Sequence, residues 1–135
     1  MKKHFFAAII FILLVMNISV VAENTVIDLA NPTEINGVAW KKDTVLISEA
    51  GTYTITGTTD EWAIEADTTQ TIELILDNAV ITTTDRPAIL IENAEEAVIF
   101  LAENSENILS STGDSKAVIH AKVNLTIDGS GILSI

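Results

Sequence analysis

The sequence predicts an all-β fold, a parallel β-helix in which coils of chain stack into a solenoid. A phrase occurs three times: a short apolar strand opening on Ala, a polar turn, an alternating strand, an Asx/Gly corner and a third short strand. It reads Ala63-Ile64-Glu65-Ala66 into residues 71–81, Ala88-Ile89-Leu90-Ile91 into 98–109, and Ala117-Val118-Ile119-His120-Ala121 into 125–135. The interval is 25 residues from Ile64 to Ile89 and 30 from Ile89 to Ile119, within the range of stacked repeats. β-branched residues and threonine dominate these segments, which favours a pleated surface over a helix. One such coil cannot bury its apolar face alone and must lie on its neighbours.

The elements follow in chain order. Met1-Lys2-Lys3-His4 precedes an apolar run and ends at Val20-Val21-Ala22 before Glu23, the pattern of a secretory signal peptide over residues 1–22, cut after Ala22. The alternative is an uncleaved anchor, because residues 5–22 span 18 positions and a membrane helix needs roughly 20. Asn17 and Ser19 interrupt the run and an acidic residue follows it, which favours cleavage and argues against stable membrane insertion. On either reading the rest of the chain lies outside the cytoplasm, secreted or at the cell surface.

Residues 23–43 read as a cap or leading strand: Val26-Ile27-Asp28-Leu29 is strand-like, Asn31-Pro32-Thr33 a turn and Lys41-Lys42-Asp43 a polar break. An end unit of this kind keeps apolar rungs from water, with Val38 and Trp40 over the first one. Residues 44–135 are the β-helix proper. Within them Thr52-Tyr53-Thr54-Ile55-Thr56-Gly57 alternates with period two, placing Tyr53 and Ile55 on the inner face. Six residues at Glu92-Asn93-Ala94-Glu95-Glu96-Ala97 are too few for a stable helix and form a coil corner. Asp77-Asn78-Ala79, Glu106-Asn107 and Asp128-Gly129-Ser130-Gly131 mark other corners, since Asn and Gly tolerate left-handed backbone. Asn78 and Asn107, 29 residues apart, are expected to stack as an internal ladder. The final strand, Ile132-Leu133-Ser134-Ile135, would expose an apolar rung, so the chain is expected to be truncated at its C-terminus.

Charge narrows the function classes. The whole chain carries −12; without residues 1–22 it keeps five basic against 19 acidic side chains, a net −14. Nucleic acid is excluded by repulsion and by the lack of a basic stripe. An anionic polysaccharide needs a bridging cation, whereas a neutral glycan needs none. The chain has no cysteine, so no disulfide staples it and burial with backbone pairing must suffice.

Several phrases together resemble a known family. They are residues 47–58 (Ile-Ser-Glu-Ala-Gly-Thr-Tyr-Thr-Ile-Thr-Gly-Thr), 72–81 (Ile-Glu-Leu-Ile-Leu-Asp-Asn-Ala-Val-Ile), 87–94 (Pro-Ala-Ile-Leu-Ile-Glu-Asn-Ala), 101–107 (Leu-Ala-Glu-Asn-Ser-Glu-Asn) and 124–131 (Asn-Leu-Thr-Ile-Asp-Gly-Ser-Gly). In this order they are similar to the N-terminal portion of the secreted bacterial carbohydrate-binding domain-containing proteins, right-handed parallel β-helices shaped like pectate lyases. The resemblance implies binding of plant-wall or acidic polysaccharide, often with calcium, without proven catalysis.

Candidate site residues follow from chemistry. A sugar packs its C–H face on an aromatic ring and pairs its hydroxyls with polar groups. Trp62, after the Asp60-Glu61 loop, is the best platform, with Asp60, Glu61 and Arg86 as polar contacts. Asp60, Glu61 and Asp85 are oxygen donors a calcium ion could use. Arg86 is the only arginine, too isolated for a lyase base; pairing with Asp85 or Glu61 is the expected role, and no catalytic residue is assigned. The leading reading is therefore a non-catalytic polysaccharide-binding β-helix. A lyase-like enzyme and a structural, adhesin-like surface repeat are the alternatives.

Overall fold

The computed structural model describes residues 24–115 and 117–135; the expected signal peptide lies outside them. The described residues form twelve strands: β1 (Asn24–Asp28), β2 (Val38–Lys41), β3 (Thr44–Ile47), β4 (Gly51–Thr59), β5 (Ala63–Asp67), β6 (Ile72–Thr84), β7 (Ile89–Asn93), β8 (Ala97–Leu101), β9 (Glu106–Thr112), β10 (Ile119–Ala121), β11 (Leu125–Gly129) and β12 (Ile132–Ser134). None of them is helical, and no helix among them is long and apolar enough to cross a membrane.

The strands build three walls of a parallel β-solenoid. The first is β1-β4-β6-β8-β11, parallel throughout. The second is β10-β7-β5-β3-β2, parallel except that β2 returns antiparallel along β3 and covers that edge. In the third, the second half of β6 pairs with β9, and β9 with β12. Since β1 pairs with β4, the stack already includes residues assigned from sequence to the leading unit.

The repeated isoleucines stack as the spacing predicts: Val45, Ile64, Ile89 and Ile119 occupy one register column of the second wall. In the first wall Ile27, Ile55, Leu76 and Leu101 form another, beside Tyr53, Leu74 and Ile99. Ile81 and Leu109 close the third side. These columns meet in one core, most of whose isoleucines and leucines are wholly buried, each stabilising by about 1.5–3 kcal/mol against exposure. Tyr53 is inside too, and its hydroxyl donates to the Glu49 carbonyl at 2.7 Å.

The asparagine ladder does not form. Between Ile55↔Leu76 and Gly57↔Ala79, β6 carries an additional residue relative to β4. Asn78 takes up that bulge in left-handed backbone (φ 59°) and faces out, where its Oδ1 accepts the Glu106 N–H at 2.9 Å. The slip leaves Ala79 opposite Asn107, whose buried amide accepts the Ala79 N–H at 2.9 Å. Each asparagine thus bonds backbone in the adjoining coil instead of the other asparagine.

Candidate functional site

The second half of β4 lies against the second half of β6 in the third wall; β4 ends there at Thr59, and the next residues turn sharply out of that wall. The buried Thr59 hydroxyl accepts two backbone N–H groups, from Glu61 at 3.0 Å and Trp62 at 3.2 Å. This pins the Asp60-Glu61-Trp62 loop against the end of the strand. Trp62 then meets Trp40 edge to face, ring centroids 5.2 Å apart and planes at 80°, the arrangement an aromatic quadrupole favours. Trp40 is itself anchored, its Nε1 donating to the Thr33 carbonyl at 2.7 Å.

Beside Trp62 opens a hollow of about 260 Å³ lined by Leu29, Pro32, Thr58, Asp60 and Glu61 among others. Three of the residues expected to contact sugar, Asp60, Glu61 and Trp62, share this space. Asp60 and Glu61 are exposed and Trp62 is half-buried, so carboxylates stand at the mouth of a partly apolar depression. Sequence reasoning missed Leu29, Pro32 and Thr58. Pro32 precedes Trp62 by 30 residues, a repeat interval, and that spacing was the available signal.

Arg86 does not line the hollow; it stands behind the loop as a clasp between coils. Its guanidinium pairs with the Asp43 carboxylate at 2.9 Å and donates to Thr44 Oγ1 at 3.0 Å. It also donates to the backbone carbonyls of Asp43 and Glu61. The ion-pair partner is therefore Asp43, and Glu61 takes part only through its main chain. Asp43 is held below the ordinary carboxylate value of 3.8: desolvation raises it, and the Arg86 hydrogen bond and charge, with Thr44 and Lys42, lower it further.

Asp85 is likewise committed. It sits in left-handed backbone (φ 62°), and its Oδ1 accepts the Asp114 N–H at 2.7 Å. Among the described residues no three acidic or histidine side chains are grouped to hold a metal ion. The set Asp60, Glu61 and Asp85 is thus not assembled, and the calcium that the resemblance implies has no fitting donor cluster there.

Comparison with known proteins agrees with this architecture. A family model described as carbohydrate-binding domain-containing protein matches residues 41–135. A carbohydrate-binding domain-containing protein of Acetivibrio thermocellus is 30% identical over 132 residues, covering 89% of this chain and 45% of the relative. The solved structure of a polysaccharide lyase-like protein from C. thermocellum superposes with a TM-score of 0.70 at 28% identity, over 84% of this chain and 51% of that one. The chain thus spans about half the length of both relatives. With most of its strands inside the matched region and its parallel solenoid shared, this chain belongs to the carbohydrate-binding domain-containing protein family.

Proposed function

We propose that this chain is a non-catalytic module that binds plant-wall or acidic polysaccharide outside the cell, secreted or at its surface. The observation that carries the reading is the hollow beside Trp62. A half-buried indole braced by Trp40 supplies a rigid apolar wall, and Thr58, Asp60 and Glu61 supply hydroxyl and carboxylate partners for sugar hydroxyls. Preset side chains lose little conformational freedom on binding, which favours affinity.

The absence of catalysis is supported by what the charged groups do. Arg86 spends its donors on Asp43, Thr44 and two carbonyls, so it is not poised as a base for β-elimination. The alternative, a polysaccharide lyase, is favoured by the lyase-like name of the structural relative.

Retention on insoluble plant-wall polymers, with and without chelator, tests the proposal. The wild-type chain is expected to be retained and Trp62→Ala to be released. Loss of binding on every polymer refutes it, and release of unsaturated ends by the wild type favours the lyase reading.

A further inference from the structure

Part of the third wall's outer face differs from the other two walls in charge. Register places Thr58, Val80, Ile108 and Ser134 in one outward row, with Thr82 beside Ser110 and Thr84 beside Thr112 in the next two. None of these side chains ionises. The outer face of the first wall carries Glu73 and Asp128, and that of the second carries Glu65, His120 and the Lys122–Glu92 ion pair. Glu106 stands exposed in the next row of the same face, beside Ile132, and the three rows beyond it carry no charge, a specific feature in a chain with 19 acidic residues.

Its chemistry matches a sugar ring. Ser110 Oγ donates to Thr82 Oγ1 at 3.2 Å, which leaves the Thr82 O–H free to donate outward. Thr112 donates to the Thr83 carbonyl at 3.2 Å, so in its 3.3 Å pair with Thr84 it accepts. Beside these hydroxyls lie Val80 and Ile108, the latter 48% exposed. An aliphatic row, Val80 and Ile108, thus lies beside two rows of hydroxyl donors and acceptors, and neighbouring coils within each row are about 4.8 Å apart. The row begins at Thr58, which also lines the Trp62 hollow, so the two surfaces are continuous.

We propose that this wall is the docking surface for an uncharged polysaccharide, laid along the solenoid axis from the Trp62 hollow across Thr58, Val80 and Ile108. The inference rests on the polysaccharide-binding reading and narrows its substrate class. An uncharged polymer on these three rows lies over hydroxyl and aliphatic side chains and meets carboxylates only at the margins, at Glu106 and at Asp60 and Glu61 of the hollow, which limits the stripping of water from ions, the costliest form of desolvation. A polyuronate meets the repulsion of the whole acidic chain.

The test compares an uncharged β-glucan with polygalacturonate in affinity electrophoresis of the whole chain. Thr82→Glu and Thr84→Lys introduce either sign of charge on exposed sites of the wall, and Thr126→Glu is the control on the first wall. Thermal melts identify any variant that fails to fold. Expected are β-glucan binding insensitive to salt, a loss of about tenfold or more in affinity for both wall variants, and a control that binds as wild type. Wild-type affinity in both folded wall variants, with loss in Trp62→Ala, overturns the wall assignment and leaves the broader reading standing. Binding to polygalacturonate alone overturns the uncharged class. A concentration-dependent dimer broken by Thr82→Glu assigns the wall to self-association and overturns it also. No binding to either polymer removes the broader reading and this inference together.

Discussion

The wholly buried amide of Asn107 accepts the Ala79 N–H at 2.9 Å, while its Nδ2 donates to Ser105 Oγ at 2.8 Å and to the Ile132 carbonyl at 3.1 Å. One side chain thereby links three successive coils at a corner where the backbone ladder is interrupted. Asn107→Leu keeps the branched outline of the side chain, adds bulk to a closed site and removes every bond, leaving a buried N–H and a carbonyl without partners. Each orphaned group costs about 1–3 kcal/mol, so urea unfolding is expected to show a loss of about 3 kcal/mol or more. A loss below about 1 kcal/mol contradicts this account of the corner.

Ile89 lies between Ile64 and Ile119 in its column and is wholly buried. Truncation to Ala leaves a cavity the neighbouring coils cannot fill without breaking their register. Ile89→Ala is expected to cost about 3 kcal/mol, a large fraction of the stability of a domain this size. Ile108→Ala, at a site 48% exposed, is expected to stay within about 0.5 kcal/mol. Parallel thermal melts of the two variants check the contrast.

Arg86 acts here as a structural clasp, and its removal is expected to lower stability without altering chemistry. The side chain is 28% exposed, so solvent screening limits Arg86→Ala to about 1 kcal/mol. Arg86→Lys is expected to recover only part of that, because an ammonium cannot fork to a carboxylate, a hydroxyl and two carbonyls together. Denaturant midpoints of the three proteins check the order; full recovery by Lys reduces the role to bare charge.

Asp28 provides a pH signature. Its carboxylate accepts from Asn31 Nδ2 at 2.8 Å and from the Ala30 N–H at 3.0 Å, and these two bonds hold it below the ordinary 3.8. The unfolded chain takes up the proton at higher pH than the folded one. The contribution is therefore complete above about pH 3.8 and disappears as pH falls through the folded value. Asp28→Asn is expected to be less stable than wild type at about pH 6, and the gap to close in strong acid. A gap of constant size across that range excludes the carboxylate as its source.

The alternation of Ile72, Leu74 and Leu76 made the inner face legible, and the 25- and 30-residue intervals made the stacking of Ile64, Ile89 and Ile119 legible. Both are periodic signals, and a solenoid repeats its burial coil by coil. The corners were less legible because a bulge shifts register by one residue without disturbing composition. That is why Asn107 meets Ala79 rather than Asn78. At the candidate site, Asp60, Glu61 and Trp62 are neighbours in sequence and were found together, while Pro32 arrives from the preceding coil. Arg86 was expected to pair with Asp85 or Glu61, yet the β2–β3 turn brings Asp43 to it from 43 residues upstream. Thr82 and Ser110 read in sequence as ordinary strand residues; only register reveals the charge-free strip they form.

The thirteen residues of β6 hydrogen-bond to β4 along one edge, and to β8 and then β9 along the other. Two faces of the molecule are thus sewn by a single thread, and neither can be peeled back while the other stays whole. Its amide protons are consequently the slowest to trade for deuterium, released together when the entire structure opens. A glycan that touches only one face gains a footing whose rigidity is underwritten by the opposite side.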